Sequence, residues 1–173
     1  RNLNLRNEFR ARLESAPIRP TSILNGAFSD MLTGVAPFVL FRQRRILCWG
    51  DPEQMMDWTT MNDTAAYAAA AALDDTAPRF LRIAGDQFSA RTLAELMTDL
   101  TGTQHRVFRP GGPGLLKALI ALTRFFVPAP NDIYPPWQGM QYMHNMYSGL
   151  GKFSHLDNHR YQVAWTSVRQ VLT

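Results

Sequence analysis

The sequence predicts a domain of the α/β or α+β class, and two observations carry that reading. Short runs rich in β-branched residues alternate with capped, helix-periodic runs along the whole chain. The 173 residues, 46% of them hydrophobic, are enough for one core and show neither an internal repeat nor a low-complexity linker.

The elements follow in order. Leu5, Phe9 and Leu13 are spaced by four among Arg, Asn and Glu, which predicts one apolar stripe of a helix over residues 1–14, ended by Pro17. Residues 18–24 (IRPTSIL) read as a strand with Pro20 near its start or on an edge. Asn25 and Gly26 then form a loop able to adopt positive φ, leading into a short helical or irregular stretch from Phe28 to Leu32. Residues 38–41 and 46–49 flank a polar turn of arginines and predict a hairpin. An extended run over 56–60 precedes Asp63, which is placed to cap a helix over 64–73, where seven of ten residues are Ala.

Residues 80–84 (FLRIA) predict a strand and Gly85 with Asp86 a turn. Ser89 is the expected N-cap of a helix over 90–100, with Phe88 and Leu93 spaced as a hydrophobic staple and Gly102 just past its end. A short strand over 105–109, a Gly/Pro loop over 110–114, an apolar helix over 115–126 and a proline-containing loop over 127–134 come next. Pro135 and Pro136 open a helix reaching Tyr147. A polar loop over 152–162 and a last helix over 163–172 complete the chain.

Composition excludes several classes. Cys48 is alone, so neither an internal disulfide nor a CxxC zinc or redox motif exists, and the cytoplasm is the expected compartment. No apolar run reaches the length of a membrane span, and arginines interrupt the N-terminal stretch, so no membrane is expected as a partner. The net charge of +4 comes from 16 Arg and 2 Lys scattered along the chain, a solvated surface rather than the concentrated basic face that binds nucleic acid.

A dinucleotide fingerprint is missing. Binding a pyrophosphate needs a strand, a GxGxxG-type turn and a helix N-terminus, and the one glycine cluster, Gly111 to Gly114, is stiffened by Pro113. The chain also opens in mid-pattern and is expected to be the C-terminal part of something longer. The ordered series TSILNGAFSDML, ILCWGD, DWTTMNDTAAYAAAAALDD, RFLRIAGDQFSARTLAELMTDLTG and WQGMQYMHNMYSGLG resembles the C-terminal portion of NmrA-like proteins, of the atypical short-chain dehydrogenase/reductase superfamily. The resemblance covers nearly the whole chain. It implies the C-terminal part of a Rossmann-type parallel sheet plus a smaller, mostly helical substrate-binding lobe over residues 1–173, with the glycine-motif half absent. It further implies NADP or NAD as cofactor, bound mainly by that half.

By the same resemblance, residues after the 18–24 strand approach the nicotinamide and substrate, in line with ligand sites lying outside the carboxyl ends of strands in open sheets. Asn25, Gly26 and Ala27 are the cofactor-side positions and Phe28 a substrate-side one. The family often has a Lys in the preceding helix, where this chain has Arg6. Arginine stays protonated and cannot serve as a base, which argues against proton relay through that helix.

Trp137, Met140, Met143, His144 and Tyr147 recur at spacings of three and four, an aromatic and Met-rich stripe suited to a core or to an adaptable apolar pocket. His144 is the acid/base candidate, since imidazole titrates near neutrality and its helix faces the cleft in the family arrangement. His155 and His159 flank Asp157, but their setting reads as a loop and no metal is expected. Cys48 lacks a neighbouring His and reads as inert, and Ser22 and Ser29 lack a GxSxG setting.

The expected function is that of an NAD(P)-dependent oxidoreductase acting on a carbonyl, quinone-like or enone small molecule. A non-catalytic dinucleotide-binding redox sensor and a stand-alone interaction module are the alternatives. A protein partner or a homodimer is compatible with each.

Overall fold

The computed structural model describes residues 2–34, 36–129, 132 and 135–173, with only the backbone of residues 2–4. Helix α1 (Asn2–Ser15) leads through an irregular stretch into β1 (Ser22–Asn25), which is shorter than the run 18–24 expected to be a strand. Pro20 stays outside the ladder because it has no N–H to donate. Strand β1 pairs in parallel with β6 (Phe80–Ile83), joining residues 58 positions apart (Ser22 opposite Phe80) through a long crossover.

A second sheet has the order β2 (Ala27–Phe28), β5 (Met56–Thr59), β7 (Asp86–Phe88), with β2 and β5 parallel and β7 antiparallel. A third has the order β3 (Val39–Leu40), β4 (Arg45–Trp49), β8 (Arg106–Gly111). The first two strands of that sheet form the expected hairpin, turned by Arg44 at φ 52°, and β4 and β8 run parallel. Parallel strands joined by helical crossovers make this the α/β architecture that the alternating pattern predicted.

Four details differ from the sequence reading. The N-cap of α2 (Met61–Ala72) is Thr60, whose hydroxyl accepts from the Asp63 amide, so Asp63 is the third helical residue and its carboxylate is free to bond elsewhere. The residues expected as a Gly85 and Asp86 turn continue into β7. Strand β8 runs on to Gly111, taking the first two of the five residues expected as a Gly/Pro loop, and Pro113 is the first residue of α4 (Pro113–Phe126). The last helix is only α6 (Val168–Leu172), because the residues before it are tied in extended form to the body of the domain.

Other caps agree. Ser89 caps α3 (Ala90–Thr101) in a reciprocal box with Thr92, and Gly102 closes it at φ 63°. Helix α5 spans Pro136–Tyr147. Of the loop expected over 127–134, residues 130, 131, 133 and 134 lie outside the described residues.

The main core lies between the second and third sheets. Trp58 stacks on Phe88 at 5.0 Å, meets Phe38 edge-on at 5.1 Å, and Phe38 in turn faces Tyr147 of α5 at 6.4 Å. A smaller core of Tyr67, Ala71, Leu81 and Ile83 lies under Tyr161 and Trp165 of the C-terminal segment. The Ala-rich helix thus meets the β1–β6 sheet through Tyr67 and Ala71. Among the described residues, no helix is long and apolar enough to cross a membrane.

Candidate functional site

The carboxyl end of β1 is where the chain changes sheets. Asn25 is the last residue opposite β6 and, two residues later, Ala27 is opposite Trp58 of β5. Gly26 makes that step possible: a Cβ there would lie 2.0 Å from the Asp57 carbonyl oxygen, so no larger residue fits without moving backbone. The Asn25 side-chain amide donates to the Gly26 carbonyl at 2.9 Å, which pins the turn, and its own carbonyl oxygen has no partner among the described residues. Phe28 is half-buried and directly precedes a 3-10 turn, Ser29–Thr33. There Asp30 accepts from the Met61 amide at the start of α2 at 3.0 Å.

Below this turn sits a carboxylate that the sequence reading did not single out. Strand alternation sends Met56 and Trp58 into the core and Asp57 to the opposite face. The Asp57 side chain is fully buried and accepts from Lys152 Nζ at 2.9 Å, the Phe153 amide at 2.7 Å and Gln87 Nε2 at 2.6 Å. Three donors offset the cost of burying the charge.

Asp63, in the first turn of α2, has a matching role. It accepts from the Thr166 amide at 2.8 Å and the Thr166 hydroxyl at 2.9 Å, while Thr59 accepts from the Gly85 amide at 3.0 Å. Further along, Asp157 accepts from the Arg82 amide, Asn158 exchanges two bonds with Ala84, and Asp86 accepts from the Val168 amide. The C-terminal segment is therefore a strap tying β5, β6 and α2 together. No local periodicity marks these partners, which lie 74 to 103 residues apart for Asn158 with Ala84 and Asp63 with Thr166.

The helix α5 residues form one face, divided between core and rim. Met143 and Tyr147 are buried in the main core, and the Tyr147 hydroxyl donates to the Leu47 carbonyl. Burial pushes that phenol well above the usual tyrosine range, so it is a neutral donor. Met140 is partly buried and its sulfur accepts from the Thr123 hydroxyl at 3.7 Å. Trp137 and His144 are half-buried at the rim, where the Trp137 ring lies under the Arg124 guanidinium at 5.2 Å.

Ala27 packs against the core that holds Met140, Met143 and Tyr147, so β2 and α5 share one body. Among the described residues, no hydrogen bond or ring contact joins Asn25–Phe28 directly to the α5 stripe. Cys48 is buried, and desolvation first, with Asp51 adding to it, pushes its thiol up to about 11, the behaviour of an inert core residue. No group of three or more His, Cys, Asp or Glu able to hold a metal occurs among the described residues, and His155 instead contacts Arg82 Nη1 at 3.2 Å.

No family model and no curated sequence matches the chain. Solved structures do. An isoflavone reductase is similar with a TM-score of 0.70 at 12% identity, over 96% of this chain and 55% of the reductase. A leucoanthocyanidin reductase of Vitis vinifera, solved with NADPH, is similar with a TM-score of 0.71 at 14% identity, over 99% of this chain and 59% of its own. An NADPH-dependent quinone oxidoreductase of Escherichia coli, also with NADPH, gives 0.56 at 19% identity over 84% of this chain and 50% of its own. The chain thus spans little more than half the length of the two reductases, and across that span it has their α/β fold.

Proposed function

We propose that this chain forms the substrate-side portion of an NAD(P)-dependent oxidoreductase of NmrA-like type, acting on a carbonyl, quinone-like or enone small molecule. The observation that carries the reading is the turn at the carboxyl end of β1, the position at which open α/β sheets bind ligands. Gly26 is pressed onto Asp57 there, and the Asn25 side chain is held with its carbonyl oxygen unpartnered among the described residues.

The residues fit the nicotinamide end of a dinucleotide. A carboxamide needs an acceptor for its NH2 group, and the Asn25 oxygen is one. They do not fit the pyrophosphate, because Gly111 belongs to β8 and Pro113 has no N–H to offer at the start of α4. Bound, the cofactor would supply the hydride. Asn25, Gly26 and Ala27 would orient its nicotinamide, with Phe28, Trp137 and Met140 forming apolar walls and Met143 and Tyr147 backing them from the core. His144 would hold and deliver the proton that accompanies reduction of a carbonyl.

Loss of NADPH absorbance in the presence of a panel of quinones and aldehydes tests this reading on the intact gene product. Turnover that falls at least tenfold in His144→Ala is the expected result. Dinucleotide binding without turnover on any substrate would refute an enzymatic role, and unchanged kinetics in the variant would remove His144 from it.

A further inference from the structure

Helix α4 has the composition of a buried helix, with apolar residues on nearly every side. Its position is different. Leu116 is its one fully buried described residue, Ile120 packs partly against the main core, and Thr123 reaches Met140 of α5. On the flank turned away from these contacts, Leu115, Leu122 and Phe126 fall on one row at i, i+7 and i+11, exposed by 48%, 54% and 69%. Phe125, beside that row, is 79% exposed.

The charges around this face have one sign. Lys117 and Arg124, seven residues apart, form the opposite edge of the exposed arc, with Phe125 between them and that row, and α4 and α5 contain no acidic residue. From Arg106 to Arg124 the sequence holds four Lys and Arg and no acid. Packing this face on a second copy about a two-fold axis would bring like cations together with no carboxylate on the face to pair with them. An anionic surface has the complementary charge.

We infer that α4 docks the protein on an anionic lipid surface, lying in the plane of the interface. Phe125 and Leu122 would enter the headgroup and acyl boundary deepest, with Leu115 and Phe126 along one edge, and Lys117 and Arg124 along the other edge would reach lipid phosphates, the disposition of an interfacial amphipathic helix. This departs from the expectation that no membrane is involved, which rested on the lack of a spanning segment. At 14 residues α4 is too short to span, but an interfacial helix needs no such length. Docking there would hold the neighbouring α5 rim, with Trp137 and His144, close to molecules dissolved in the bilayer. The inference does not depend on the proposed hydride transfer.

Cosedimentation of the full protein with phosphatidylcholine vesicles, with and without phosphatidylglycerol, is the test. The protein should pellet with the anionic vesicles and release as salt rises. Leu122→Gln with Phe126→Ser should cut the partition coefficient by roughly tenfold or more, with circular dichroism and melting unchanged because both side chains are exposed. Lys117→Gln with Arg124→Gln should cut it about thirtyfold on anionic vesicles, from ~1 kcal/mol per basic residue, and hardly at all on neutral ones. Lys117→Gln alone, which leaves the Arg124 contact with Trp137 intact, should give about a fivefold loss on the same basis. Failure to pellet with either vesicle overturns the inference, as does pelleting that neither double variant weakens. A concentration-dependent dimer in buffer that Leu122→Gln with Phe126→Ser dissociates also overturns it, assigning the face to a second copy.

Discussion

Asp57→Ala is the most informative single perturbation of the strap. The carboxylate is fully buried and holds three donors, so its removal orphans the Phe153 amide, the Lys152 ammonium and the Gln87 amide together. Breaking one side of a wholly buried pair costs about 3 to 5 kcal/mol. Lys152 is 28% exposed and Gln87 is exposed, so both can turn to water, which lowers the expected loss to about 2 to 3 kcal/mol. Urea denaturation should show this as a lower midpoint at constant slope, and melting should fall by roughly 4 to 12 °C.

A double-mutant cycle with Lys152→Met sharpens the test. The Asp57→Asn, Lys152→Met double variant should lose at least about 1 kcal/mol less than the two single losses added, since neither partner is left behind as an unpaired charge. Strict additivity, or an Asp57→Ala loss under about 1 kcal/mol, would refute the view that this pair anchors the strap. Because Gly26 rests on the Asp57 backbone, the same variant should also weaken dinucleotide binding by the intact protein.

Two further outcomes follow from the geometry. Gly26→Ala places a Cβ 2.0 Å from the Asp57 carbonyl oxygen and should destabilise by about 3 kcal/mol or more in chemical denaturation; a neutral variant would mean that β1 and β2 do not cross there as described. Tyr67 is buried, donates to the Asp157 carbonyl at 2.7 Å, and has its phenol pushed up to about 12 by burial first and then by the Asp157 charge. Its folded pKa lies above the usual 10, so the contribution to stability is complete below about pH 10 and is lost as pH rises from there towards 12. Tyr67→Phe should cost about 1 kcal/mol at neutral pH for the lost hydrogen bond and should flatten part of the alkaline limb, measured as midpoint against pH. An unchanged limb would show that Tyr67 ionises as freely folded as unfolded.

Local signals in the chain were enough for most helices and for the hairpin. The Ser89 box, Gly102, Pro136 and the arginine turn at 42–45 each act within a few residues of the end they define. The turn after β1 was legible too, since Asn25 and Gly26 announce a turn by residue type alone. Strand β7 was not legible because three residues after a glycine carry too little alternation, and they become a strand only when Asp57 and Trp58 lie opposite. Asp63 looked like a cap because its spacing allowed it; Thr60 took that place, and Thr166 claimed the carboxylate from 103 residues away.

The sequence by itself therefore determined the α/β class, the helix ends and the turn after β1, all of which depend on interactions within one or two turns of chain. Tertiary structure decided which charged groups are buried and which apolar ones are not. Asp57 and Lys152 are polar residues that pair inside because the strap closes over β5, while Phe125 and Phe126 are apolar residues left outside because α5 and the core occupy only one flank of α4. Burial is a property of packing between distant segments, and no periodicity within one segment encodes how many of its faces will find a neighbour.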